Sequence, residues 1–125
     1  MYTVAVGTAF VAQHFLTVPD CGPENELHSH VYGLDVAFEG SELDEHGYLL
    51  DVEEIEAEID EIEARYRDKT LNDLPEFEGL NPSVEHFSRI VAESLAETTP
   101  TDRLDAITVT VSEDDVARAA YTLTP

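Results

Sequence analysis

Asp51-Val52-Glu53-Glu54-Ile55-Glu56-Ala57-Glu58-Ile59-Asp60-Glu61-Ile62-Glu63-Ala64-Arg65-Tyr66 is the stretch on which the fold turns. Val52, Ile55, Ile59, Ile62 and Tyr66 follow one another at steps of 3, 4, 3 and 4. That spacing predicts an amphipathic helix with one narrow apolar stripe toward a core and its glutamates in water. Asp51 is placed to cap it, with Glu54 three residues on in a capping-box arrangement.

On the N-terminal side of this helix the period changes to two. Val4, Val6 and Phe10 share one parity in an expected strand from Tyr2 to Phe10, and a second strand is expected from His28 to Phe38. Between them Thr17 to Leu27, with Pro19, Gly22 and Pro23, reads as loop. Gly40 and Gly47 bracket a polar bend, after which Tyr48-Leu49-Leu50 is expected as a short return of the strand.

On the C-terminal side, Asp73 to Leu80 with Pro75 and Gly79 reads as loop. A second helix follows, with Asn81 as the expected N-cap, Pro82 as first helical residue, and Val84, Phe87, Val91 and Leu95 facing the core. After a break at Thr98 to Thr101, Ile107, Val109 and Val111 alternate with threonines. Ala117, Ala119, Tyr121 and Leu123 alternate beyond Asp114-Asp115, so the two runs read as a hairpin. The expected fold class is α+β in the order ββααββ, a four-stranded antiparallel sheet with two helices on one face.

The length of 125 residues suits a single domain over 1–125. Cys21 is the lone cysteine and has no partner for a disulfide, no stretch approaches the roughly 20 apolar residues of a membrane span, and no leader-like start is visible; a cytoplasmic protein is expected. There are 28 Asp plus Glu against 6 Lys plus Arg, with Lys69 the sole lysine, giving a net charge of −22. Such a surface repels nucleic acid and anionic membranes, and neither is expected as a partner. Disorder is countered by 42% hydrophobic residues in periodic order. Concentrated salt shortens the Debye length to roughly 3 Å at 1 M, so the acid excess reads as halophilic adaptation.

His28-Ser29-His30 is the sharpest chemical feature. Positions i and i+2 of a strand share a face, so both imidazoles can approach one metal ion. His14 follows the first strand and would lie beside this pair if the two strands are antiparallel. Three histidines with an open fourth position is the pattern of catalytic zinc; an H-x-H alone more often describes two exposed strand histidines. Cys21 precedes the pair, either as a thiolate activated by a nearby metal or as a lone small buried thiol. Glu24 and Glu26 share that loop as further candidate bases or as solvated surface.

Several segments resemble one family in order. Phe10-Val11-Ala12-Gln13-His14-Phe15-Leu16 is similar to the F-x-A-x-H-x-L of the 6-pyruvoyl-tetrahydropterin and 6-carboxy-tetrahydropterin synthases, and Cys21 with His28-Ser29-His30-Val31-Tyr32 resembles their C…H-G-H-x-Y. Gly47-Tyr48-Leu49-Leu50-Asp51-Val52 resembles G-M-V-x-D-F, and Leu71-Asn72 the L-N. Asn81-Pro82-Ser83-Val84-Glu85 resembles N-P-T-x-E, and Val109-Thr110-Val111-Ser112-Glu113 V-x-V-x-E. Nearly the whole chain is covered, in the manner of a halophilic archaeal member.

The resemblance implies the tunnelling fold, assembled as a homotrimer or homohexamer with active sites at subunit contacts. It implies zinc on His14, His28 and His30 and a pterin ring anchored by Glu113, a carboxylate able to accept two hydrogen bonds. The implied activity is that of a lyase on 7,8-dihydroneopterin triphosphate or a relative, foremost the 6-carboxy-tetrahydropterin reaction of deazaguanine (queuosine and archaeosine) precursor synthesis. The pyruvoyl or aldolase-type reaction stands second. Cys21 is the expected base, with Glu24 or Glu26 in its place as in the family's aldolase-like subgroup. The family's Asp-His pair, five and four residues before the L-N asparagine, is Arg67-Asp68 here. Asp68 is expected to orient or to play no part, and a zinc- and pterin-binding protein without turnover is the alternative reading.

Overall fold

The computed structural model describes all residues from 1 to 125. The apolar and small alternation at the N-terminus runs into β1 (Tyr2–His14), which continues past Phe10 because β2 (His28–Gly40) pairs with it antiparallel from Tyr2↔Gly40 to His14↔His28. β3 (Ala106–Glu113) and β4 (Ala117–Leu123) form the expected hairpin, turning through Asp114 and Asp115 in the left-handed region at φ 50 and 58. β3 lies against β2, giving one antiparallel sheet of order β1-β2-β3-β4.

The helix of the opening stretch is α1 (Val52–Tyr66). Ile55, Ile59, Ile62 and Tyr66 are buried as the periodicity requires, while Val52 in the first turn is 40% exposed. Asp51 caps it by accepting from the Glu53 amide; the reciprocal bond a Glu54 capping box would add is absent. Helix α2 (Val84–Thr98) buries Phe87, Val91 and Leu95 together with Ser88, Ile90 and Ala92. Its N-cap is Ser83, whose hydroxyl accepts from His86 N. Asn81, expected in that role, sends its side chain to Thr17 instead.

Both helices cover one sheet face, α1 over β1 and α2 over β3 and β4. Between them lies a core of 23 buried apolar residues, with Phe10, Tyr32, Tyr66, Phe77 and Phe87 in mutual aromatic contact. The opposite face holds the odd-numbered residues of β1 and β2, and its only charged side chains are Asp35, Glu39 and Arg118.

Tyr48-Leu49-Leu50 is not a strand. β2 ends at Gly40 with β1 on one side and β3 on the other, so a returning segment has no edge to pair with. Leu49 and Leu50 are buried as side chains only. Gly40 permits this: a Cβ there would strike the Arg103 carbonyl and come within 2.6 Å of Leu49 Cδ1. The segment after α1 returns along β1, where Asp68 N donates to Val11 O at 2.7 Å and Gln13 N to Lys69 O at 2.8 Å. It continues into short 3-10 turns at Leu71–Asp73 and Pro75–Phe77 within the expected loop.

Candidate metal centre and active site

Strand register builds the site. His14 stands opposite His28, and His30 lies two residues further along β2 on the same face. All three imidazoles therefore gather on the helix-covered side at one end of the sheet. Their ring centroids are 4.6, 5.0 and 4.8 Å apart in the pairs 14–28, 14–30 and 28–30. One ring nitrogen from each lies within 4.8 Å of the other two. Tetrahedral zinc at about 2.0–2.1 Å from its ligands spaces nitrogens about 3.4 Å apart, so the rings stand slightly open.

Each Nδ1 faces an acceptor. His28 Nδ1 donates to Glu26 O at 2.8 Å, His30 Nδ1 to Asp114 Oδ2 at 2.6 Å, and His14 Nδ1 to Pro82 O at 2.9 Å, with the Tyr32 hydroxyl 3.1 Å from that same nitrogen. With the proton on Nδ1, the lone pair of each ring sits on Nε2, as a neutral imidazole ligand requires. Nε2 of His28 and Nε2 of His30 are buried without any hydrogen-bond partner, a state that costs roughly 1–3 kcal/mol per group. A cation among the three nitrogens would satisfy both, so the donor set fits zinc. Burial, with His28 and His30 adding to it against the opposing Pro82 carbonyl, pulls the His14 pKa below its ordinary value and favours the uncharged form.

Glu113 borders the cluster, one carboxylate oxygen 4.0 Å from His14 Nε2 and the other 3.8 Å from His30 Nε2. Burial is the main cause of its raised pKa; Glu24 adds to it and His30 opposes it. Tyr32 is pushed far above the usual phenol range, first by burial and then by Glu113, and keeps its proton.

The loop between β1 and β2 is held by amide side chains. Asn72 pairs with the Phe15 backbone, accepting from its N–H at 3.0 Å and donating to its carbonyl at 2.9 Å. Asn81 Oδ1 accepts from Thr17 N at 2.9 Å. Asn25 donates to the Leu16 and Val18 carbonyls and accepts from Cys21 N at 2.9 Å. Of the loop candidates, exposed Glu24 is the one whose charge acts on both His14 and Glu113. Cys21 is half-buried before the 3-10 turn Gly22–Asn25. Glu26 contributes its carbonyl to His28 while its side chain faces solvent. Asp68 sits exposed in a left-handed turn at φ 60. Sequence reasoning missed Asp114, read as a turn acid, and the Pro82 carbonyl; the one signal for Asp114 is its position next to Glu113.

The order ββααββ, an antiparallel sheet with both helices on one face, is the tunnelling fold, here carrying a three-histidine cluster and a half-buried glutamate at one sheet end. The model of 6-pyruvoyl tetrahydropterin synthase matches residues 3–124, and the chain belongs to that family, whose enzymes are lyases acting on pterins. Solved structures share the fold. The 6-pyruvoyl tetrahydropterin synthase of Caenorhabditis elegans superposes with a TM-score of 0.85 at 20% identity, covering 98% of this chain and 96% of that one. The Plasmodium falciparum enzyme gives 0.81 at 15%, covering 99% and 98%. A Plasmodium vivax enzyme with a catalytic glutamate replaced by alanine gives 0.81 at 16%, covering 99% and 98%. No curated protein matches the chain. No helix is long and apolar enough to cross a membrane.

Proposed function

We propose that this protein is a zinc-dependent lyase of a dihydropterin side chain, with the metal on His14, His28 and His30. The observation that carries the proposal is the cluster of three imidazoles whose Nδ1 protons are all donated elsewhere, leaving the buried Nε2 atoms of His28 and His30 without partners. Zinc bound there would polarise a side-chain oxygen of the substrate and acidify the adjoining carbon–hydrogen bond.

The chain's own residues do the rest. Glu113 accepts two hydrogen bonds from the amino and ring N–H groups of the pterin and fixes its orientation beside the histidines. Glu24 takes the carbon-bound proton. A relative of the same fold carries a catalytic glutamate, which supports a carboxylate over Cys21. Asn25, its chain neighbour, ties this loop back on itself through the Leu16 and Val18 carbonyls. The 6-carboxy-tetrahydropterin reaction of deazaguanine precursor synthesis is the first choice of chemistry and the pyruvoyl or aldolase-type reaction the second. Arg67-Asp68 in place of the family's Asp-His pair supports the alternative, a binding protein without turnover.

We place the protein in a salty cytoplasm and as a homotrimer or homohexamer of single-domain chains. The sheet face with only three charged side chains supports the assembly, since a chain of net charge −22 leaves it available for contact. The test is chromatographic product analysis with 7,8-dihydroneopterin triphosphate in molar salt. Wild type should convert it, and Glu24→Gln should lose about 10²–10⁴ in kcat while still binding pterin. Retained turnover in Glu24→Gln with loss in Cys21→Ala would move the base to Cys21; wild type that binds pterin without turning it over would favour the binding protein.

A further inference from the structure

We propose that Asp114 is a positioning residue of the metal centre, its carboxylate fixing His30 in one tautomer and one orientation. The inference rests on the metal reading above. Asp114 Oδ2 accepts from His30 Nδ1 at 2.6 Å, and Oδ1 accepts from the amide of Val31, the next residue on β2, at 2.8 Å. The Asp114 amide in turn donates to Val31 O at 2.8 Å. The last β2–β3 ladder pair is Tyr32↔Glu113. Asp114 extends that ladder by one position, with a side-chain oxygen standing in for the backbone carbonyl.

This geometry depends on the backbone. Successive residues of a strand point to opposite faces, which would send Asp114 away from the site that Glu113 faces. At φ 50 the chain leaves the strand conformation, and both acids meet the same imidazole, Glu113 3.8 Å from Nε2 and Asp114 at Nδ1. The other two rings lean on neutral carbonyls, those of Glu26 and Pro82. His30 alone has a carboxylate behind it, and a carboxylate on the far nitrogen orients a ligating imidazole and strengthens it as a donor. His30 is thus the strongest ligand of the three.

Asp114→Asn tests this directly. Asparagine tolerates the left-handed conformation, and its oxygen can still accept from Val31 N while its NH2 group opposes the His30 Nδ1 proton. Zinc affinity is measured by competition with a chromophoric chelator in molar salt, and the His30 tautomer by nitrogen-15 NMR of the metal-free protein. We expect zinc affinity to fall about 10–100-fold and the His30 proton to move from Nδ1 to Nε2. Asp114→Gly, which keeps the turn without strain, should show the same loss of affinity, and Asp115→Asn should leave both readings unchanged. Asp114→Asn and Asp114→Gly binding zinc within about twofold of wild type, with His30 still protonated on Nδ1 in Asp114→Asn, would overturn the inference. Failure of wild type to take up zinc would overturn the metal reading itself, while the tautomer measurement still decides whether Asp114 orients His30.

Discussion

Glu113 shows how much one carboxylate can be asked to do at the end of a sheet. Its half-buried position beside three imidazoles raises its pKa through desolvation, and two oxygens facing one way suit a ligand with paired N–H donors. Glu113→Gln should weaken 7,8-dihydroneopterin binding about 10–100-fold, because each hydrogen bond to a charged group contributes roughly 1.5–3 kcal/mol and the amide replaces an acceptor with a donor. Fluorescence titration measures this, and an unchanged Kd would remove Glu113 from pterin contact. Zinc content should stay the same in that variant, whereas His28→Ala and His30→Ala should each abolish metal retention by elemental analysis. His28 and His30 were legible as a pair because strand parity follows from period two, whereas His14 joins them through the antiparallel register. Asp114 was not, since its contact depends on a left-handed residue that breaks that parity.

At the scale of elements, the apolar stripe of α1 and the alternation of all four strands could be read because burial imposes them residue by residue. Tyr48-Leu49-Leu50 could not: whether an apolar run pairs as a strand depends on a free sheet edge, which topology alone decides. The loop after α1 is fastened by a contact across its own length. Arg65 holds Glu76 through two hydrogen bonds of 2.6 and 2.7 Å, and the Tyr66 hydroxyl donates to the same carboxylate at 2.9 Å. Chiefly through Arg65, the Glu76 pKa is pushed down from 4.5 to about 2. A group with a depressed folded pKa stabilises above its unfolded value and loses that contribution as pH falls through the folded one. The Tm of wild type should therefore drop between about pH 4.5 and pH 2 more steeply than that of Glu76→Gln. Parallel curves for the two proteins over that range would show that the contact contributes nothing.

For the whole molecule the governing quantity is a net charge of −22 on 13.9 kDa. β1 carries no charged side chain from Tyr2 to His14, and only its Val11–Gln13 end is covered by the segment after α1. Such an edge favours pairing, and like-charged copies can approach it only when screening is short-ranged. Light scattering should give a mass several times 13.9 kDa in molar salt and a smaller one near 0.1 M, where the Debye length is about 10 Å. A monomer at both would refute the assembly.

The order of the strands also sets a clock. β1 and β2 are joined through residues 15–27 and β3 and β4 through residues 114–116, but β2 meets β3 only after the chain has run from Gly40 to Ala106. We expect loop closure over that span to limit folding, because its entropy is spent before the contact rewards it. All three histidines belong to the first hairpin, while Glu113 and Asp114 arrive with the second. The three imidazoles are thus expected to gather first, with the carboxylates joining when the two halves meet. Substitutions along the β2–β3 ladder, such as Val36→Ala, should slow refolding more than they speed unfolding, and those on β4 the reverse.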